Sequence, residues 1–190
     1  MGIVVIDFGG QYAHLIANRI RRLNVYAEIR SPLVEVEDLE NVDGIIFSGG
    51  PSSVYDKKAP LFNDKLLYVD VPLLGLCYGH QLICKKFGGC VEPGDNSEFG
   101  AAYLNVQIQK DVFVGMKKRE LVWMSHRDSV IECPPGFLVT GTTESGSIAA
   151  MTHLHRPIYT LQFHPEVNDS EFGKEMFENF VEVCRQARDV

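Results

Sequence analysis

The chain has 190 residues, 45% hydrophobic and 23% charged, enough to bury a substantial core as one domain spanning residues 1–190. Its formal net charge of −7 leaves no basic surplus to neutralise phosphates, which excludes a general nucleic-acid binder. No apolar stretch is long enough to cross a bilayer, and the opening residues lack the charged and apolar regions of a signal peptide, so no membrane partner is expected.

Five scattered cysteines (Cys77, Cys84, Cys90, Cys133 and Cys184) contain no C-x-x-C pair. They predict reduced thiols in a cytoplasmic protein, with neither a disulfide framework nor a zinc site. Taken in chain order, Ile3–Phe8 is a short apolar run that reads as a buried parallel strand, and it ends in Asp7-Phe8-Gly9-Gly10. Apolar residues at helical spacing among arginines predict an amphipathic helix over 11–23. A strand follows over 25–30, stopped by Ser31-Pro32, and then a brief helical turn over 36–39. Gly44–Phe47 reads as another buried strand running into Ser48-Gly49-Gly50-Pro51, residues 60–68 as a helix, and 72–76 as a strand leading into a helix that ends near Phe87. This alternation predicts an α/β fold, an open, mostly parallel twisted sheet with helices on both faces.

Beyond Gly88-Gly89 the pattern changes. Residues 102–109, 120–124, 129–132, 137–141 and 147–151 alternate like antiparallel strands, with turns at Pro134-Pro135-Gly136 and Glu144-Ser145-Gly146. They predict a hairpin extension at an edge of the same sheet. An apolar strand returns over 158–163, and an amphipathic helix over 171–188 closes the chain, with Phe172, Met176, Phe177, Phe180 and Val181 facing inward.

Chemistry concentrates at Gly75-Leu76-Cys77-Tyr78-Gly79-His80-Gln81, a strand-to-helix elbow of the kind that holds a nucleophile in a tight turn. Bulky side chains at Gly75 and Gly79 would collide as the backbone doubles back. The unpaired N–H groups of a helix start favour a thiolate there. An isolated cysteine is ordinarily a buried structural residue, and it is the flanking glycines and the downstream residues that weigh against that. A thiolate nucleophile needs a base and an orienting group. Six histidines are available, His14, His80, His126, His153, His155 and His164. His164 stands at a strand end in Gln162-Phe163-His164-Pro165-Glu166, and residues two apart on an extended chain share a side, so Glu166 can hold one imidazole nitrogen while the other faces Cys77. An ordinary surface turn is the bland alternative.

Ser48-Gly49-Gly50-Pro51 can turn backbone N–H groups towards an oxyanion, with the Tyr78 amide as second donor, or it can be a plain glycine turn. A phosphate loop is not supported, since no Gly-Lys-Ser/Thr ending follows and Gly9-Gly10 does not complete a Gly-x-Gly-x-x-Gly. Gln81 lies one helical turn beyond Cys77 on the same face, where its amide either meets a substrate or is simply solvated. Trp123-Met124-Ser125-His126-Arg127-Asp128 reads equally as a loop lining a pocket and as a hairpin turn.

Gly-Leu-Cys-Tyr-Gly-His-Gln, Phe-Ser-Gly-Gly-Pro and Phe-His-Pro-Glu, in this order and spacing, resemble the three signature blocks of class I (triad-type) glutamine amidotransferases, and the resemblance covers nearly the whole chain. Asp-Phe-Gly-Gly-Gln, Glu98-Phe99-Gly100 and Trp-Met-Ser-His-Arg-Asp resemble the branch that serves GMP synthase, Phe99 replacing the commoner Tyr. The resemblance implies L-glutamine as substrate and a catalytic triad of Cys77, His164 and Glu166. It also implies an oxyanion hole at Gly50 and Tyr78, and substrate contacts from Gln81, Ser125, Arg127 and Asp128. No Ser-Gly-Gly-x-Asp-Ser motif of an ATP pyrophosphatase occurs in the chain. The resemblance therefore implies a free-standing glutaminase subunit with no metal or cofactor of its own, docking on a separate ATP-pyrophosphatase subunit that carries ATP and Mg and converts XMP to GMP. The alternatives are the glutaminase subunit of another synthetase such as anthranilate synthase, or a γ-glutamyl thiol hydrolase working alone. A non-catalytic module and a nucleotide-binding α/β domain are the rivals outside this chemistry.

Overall fold

The computed structural model describes residues 1–190, the side chains of Asp95 and Asn96 excepted. The parallel half is built from β1 (Gly2–Ile6), α1 (Ala13–Arg21), β2 (Tyr26–Arg30), β3 (Gly44–Phe47), β4 (Leu73–Leu76) and α2 (Tyr78–Lys86). The antiparallel half follows as β5 (Cys90–Val106), β6 (Arg119–Glu132), β7 (Phe137–Thr143) and β8 (Ile148–His153). The chain then returns with β9 (Ile158–Leu161) and α3 (Gly173–Arg188). All nine strands join one sheet in the order β2-β1-β3-β4-β9-β8-β7-β5-β6. The pairs from β2 to β9 are parallel and the remainder antiparallel.

Strands β1, β3, β4 and β9 are buried almost end to end, as expected where helices cover both faces. Ile16, Ile20, Phe177 and Phe180 of α1 and α3 pack on one face with Ile3 and Val5 of β1. Leu82 and Ile83 of α2 pack on the other with Val4, Ile6 and Phe47. Strand order reverses between β1 and β3, and at such a switch point the loops leaving the carboxyl ends diverge and open a crevice.

The antiparallel extension lies at the expected edge but is longer than the sequence pattern predicts. Residues 120–124 and 129–132 belong to a single strand, and 125–128 continue it without a turn, paired with Pro93 and Glu98–Phe99 of β5. The irregular register between Pro93 and Glu98 leaves extra β5 residues unmatched, which bends a hairpin and strengthens its twist. The bent hairpin reaches back across the molecule. His164 N–H donates to Trp123 O at 3.0 Å, Glu171 N–H to Leu121 O at 2.9 Å and Trp123 N–H to Ser170 Oγ at 2.9 Å, so edge strand β6 is stitched to the segment after β9.

Three smaller boundaries also differ. The helix expected over 60–68 is a short 3-10 turn over Asp64–Tyr68 that buries only Leu66 and Leu67. The first helix begins at Ala13, two residues late. The last begins at Gly173, because Phe172 sits at φ 56 as its cap. All five cysteines are free. No helix among the described residues is long and apolar enough to cross a membrane.

Candidate active site

The elbow begins with the glycines. A Cβ on Gly75 would stand 2.6 Å from Ile83 Cδ1, and one on Gly79 would stand 2.7 Å from Phe47 Cβ and 2.8 Å from Phe47 O. Only glycine lets β4 turn so sharply into a helix lying this close to β3. Between them Cys77 caps α2 at φ 52 and ψ −102, a region that costs a non-glycine residue about 1–3 kcal/mol. Its N–H is held by Leu161 O at 2.8 Å, so the strained turn is pinned to the end of β9. Tyr78, the first helical residue, has no acceptor within its own helix for its N–H.

Strand β9 delivers the other half. Three residues beyond it, His164 Nδ1–H donates to Glu166 Oε1 at 2.6 Å, and Glu166 is completely buried. The carboxylate can only accept, so Nδ1 carries the proton and Nε2 is left for Cys77. Burial by itself would lower the proton affinity of His164. Hydrogen bonding to Cys77 and Glu166 and their negative charge outweigh it and raise the imidazole to about 11. Tyr12, after β1, packs its ring edgewise on the imidazole at 5.4 Å between centroids.

The loop after β3 fills the gap between these groups. A Cβ on Gly49 would lie 3.1 Å from His164 Cε1 and 3.4 Å from Cys77 Cβ, so a side chain there would wedge nucleophile and base apart. Gly50 presses on Phe8, where a Cβ would meet Phe8 O at 2.5 Å. Loops after β1, β3, β4 and β9 together with the bent β6 enclose a pocket of about 870 Å3. Cys77, Tyr78, Gly50, Gln81, Ser125, Arg127, Asp128 and His164 all line it. The residues expected to form the triad, the oxyanion hole and the substrate contacts are thus in one place except Glu166, which lies behind His164.

Two sequence alternatives are decided by burial. Gln81 is not solvated: it is 4% exposed, and its Nε2 donates to Asp128 O at 2.8 Å and to Gln162 Oε1 at 3.0 Å. Ser125–Asp128 form no turn, and along β6 Ser125 and Arg127 are exposed while His126 is buried. His126 Nδ1–H donates to Asp128 O at 2.7 Å, and its Nε2 faces Glu98 Oε2 at 2.9 Å. Burial works to raise the Glu98 carboxyl, but hydrogen bonds from His126, Ser145 and Thr143 prevail and hold it below the usual range. His80, a residue of the elbow helix, is excluded as a base. Its two nitrogens are occupied by Thr160 Oγ1 at 2.8 Å and Ile148 O at 3.2 Å, and burial drives it down to about 3.

Sequence reasoning missed Gln162. The period-two argument that placed Glu166 beside His164 applies equally to Gln162, two residues earlier. Its Nε2 lies 3.7 Å from Cys77 Sγ.

A family profile described as Glutamine amidotransferase class-I matches residues 4–184. The chain belongs to the class-I glutamine amidotransferases. This amidotransferase chain is 48% identical over 190 residues to GMP synthase (glutamine-hydrolyzing) of Pyrobaculum aerophilum, a match covering 99% of the chain and 37% of that relative. It is 46% identical over 186 residues to the protein of the same name from Carboxydothermus hydrogenoformans, covering 96% of the chain and 36% of the relative. The chain spans little more than a third of the length of these curated relatives. A crystal structure from Thermoplasma acidophilum, of a protein provisionally described as one subunit of a GMP synthase, superposes with a TM-score of 0.90 at 31% identity. That match covers all of this amidotransferase chain and 96% of the other.

Proposed function

We propose that this amidotransferase chain hydrolyses L-glutamine to glutamate and ammonia, with Cys77 as nucleophile, His164 as proton carrier and Glu166 as the group that orients it. The observation that carries the reading is the strained Cys77 cap facing a buried His164–Glu166 pair on the wall of an open pocket. Cys77 attacks the side-chain amide carbon, and the carbonyl electron pair moves to oxygen, where the Gly50 and Tyr78 amides receive it. The C–N bond then breaks, its nitrogen takes a proton from His164, and ammonia leaves behind a γ-glutamyl thioester. Water, deprotonated by His164, adds to the thioester, and glutamate departs as the sulfur regains its electron pair. Ser125, Arg127 and Asp128 bind the α-amino and α-carboxylate groups, with the exposed Arg127 guanidinium suited to the carboxylate and Asp128 to the ammonium. Gln81, both of whose N–H groups are committed to the protein, shapes this wall and meets the substrate through its remaining surface.

The finer reading is that the ammonia is consumed by an ATP-pyrophosphatase subunit that converts XMP to GMP and carries the ATP and Mg, all in the cytoplasm. The names of the relatives support it. The test is the intact mass of the protein after exposure to a chloroketone analogue of glutamine. A single adduct that is absent in Cys77→Ala and suppressed by excess L-glutamine is expected. Equal labelling of the alanine variant would overturn the nucleophile assignment.

A further inference from the structure

Besides His164 the sulfur of Cys77 has two polar neighbours: Ser125 O at 3.6 Å, which accepts from the S–H while the sulfur is protonated, and Gln162, whose orientation can be deduced from one fixed atom. Asp128 O, a backbone carbonyl, can only accept. Gln81 must therefore turn its NH2 group towards it, at 2.8 Å, and the same NH2 group reaches Gln162 Oε1 at 3.0 Å. With its oxygen so engaged, Gln162 must present its own NH2 group to Cys77 Sγ, 3.7 Å away. The carbonyl at the head of this chain is itself anchored, because His126 Nδ1–H donates to it while His126 Nε2 is held by Glu98. Gln162, Gln81 and His126 are 1%, 4% and 5% exposed, so water does not compete for these bonds.

We propose that Gln162 is a further catalytic residue, an N–H donor that holds and stabilises the Cys77 thiolate. A buried amide N–H needs an acceptor, and an ionised sulfur is a better one than a thiol. The bond therefore favours the charged sulfur in the resting enzyme. It also favours the step in which the thioester breaks and the thiolate leaves. This rests on the proposed function, which makes Cys77 the nucleophile.

The charged and titratable groups that line the pocket with Cys77 are His164 with Glu166 behind it, Tyr12 after β1, Asp56 after β3, Tyr78 in α2, and His126, Arg127 and Asp128 on β6. The experiment is the rate of Cys77 alkylation by iodoacetamide against pH, read by mass, for the parent, Gln162→Met and Gln162→Glu, with thermal unfolding of each. Gln162→Met removes the donor at similar volume. Gln162→Glu retains an acceptor for Gln81 and places a carboxylate beside the sulfur, so it carries the test if the methionine variant does not fold. The midpoint of the profile is expected to move up by about one pH unit in Gln162→Met and further in Gln162→Glu. Profiles that superpose on the parent, with Cys77 still the fast-reacting thiol, overturn the role of Gln162 and leave the proposed function standing. A parent Cys77 that reacts no faster than the partly exposed Cys90 and Cys133 overturns the nucleophile assignment and this proposal together.

Discussion

At the scale of single residues, two buried imidazoles have their proton affinities moved in opposite directions. Burial opposes the proton on His164, but hydrogen bonding to Cys77 and Glu166 and their negative charge outweigh it and raise the imidazole to about 11, which favours its protonated form. Replacing Glu166 by glutamine turns an obligatory acceptor into a group that can present N–H to Nδ1, which misorients the ring. Glutaminase kcat is expected to fall by about 10²–10⁴ with KM little changed, measured by steady-state ammonia release. His80 shows the opposite sign. Burial drives it down to about 3, so below its unfolded value near 6.5 only the unfolded chain takes up that proton. The contribution of His80 to stability is complete above pH 6.5 and is lost as pH falls towards 3, by about 1.4 kcal/mol per unit. Urea unfolding between pH 4 and 6 is expected to show a shallower pH slope in His80→Asn than in the parent, and equal slopes would contradict the assignment. The sequence singled out His164 by context alone, a Pro-Glu neighbour after a strand, and offered no reading that set His80 apart from the other histidines.

Among the elements, the elbow was legible because its requirements are local. Two glycines, a cysteine and an apolar strand occupy a few consecutive residues, and each restricts the backbone in a way that sequence displays. Gly79→Ala is expected to push α2 off Phe47 and destabilise the fold by about 1–3 kcal/mol, checked by equilibrium denaturation. Loss of the chloroketone adduct should accompany it, because Cys77 is the cap of that helix. The β5–β6 hairpin was not legible at its centre. Ser125-His126-Arg127-Asp128 reads equally as a pocket loop and as a turn because neither face of that stretch is apolar: all four residues line the pocket, and His126 is at the same time buried against Glu98. Burial still alternates there, but hydrophobicity does not, and it is hydrophobicity that a sequence reader follows. The bend that aims this strand depends on a register change between Pro93 and Glu98, which composition does not announce.

For the whole molecule, the parallel core could be anticipated from alternating apolar runs and helices. Its closure onto the antiparallel half could not, since the bonds from β6 to His164, Ser170 and Glu171 join segments with no shared pattern. The proposed partnership is tested at this scale. Adding the ATP-pyrophosphatase subunit of a GMP synthase, with ATP, Mg and XMP, is expected to give glutamine-dependent GMP and faster glutamine turnover. The Cys77→Ala variant should support GMP formation only when free ammonia is added. A chain that neither binds that subunit in sedimentation nor supplies it with nitrogen would belong with another synthetase.

The route of the chain through the sheet also sets an order of events in time. Strands β4 and β9 lie side by side, yet Cys77 and Gln162 at their ends are 85 positions apart, with four antiparallel strands threaded between them. Bringing them together closes a long loop, and long-range parallel pairing is intrinsically slow. A newly made chain therefore holds its thiol without a base until the last strand inserts. Nucleophile and base thus meet only in a chain whose β9 has paired with β4, and no shorter stretch of the sequence can assemble the reactive centre by itself.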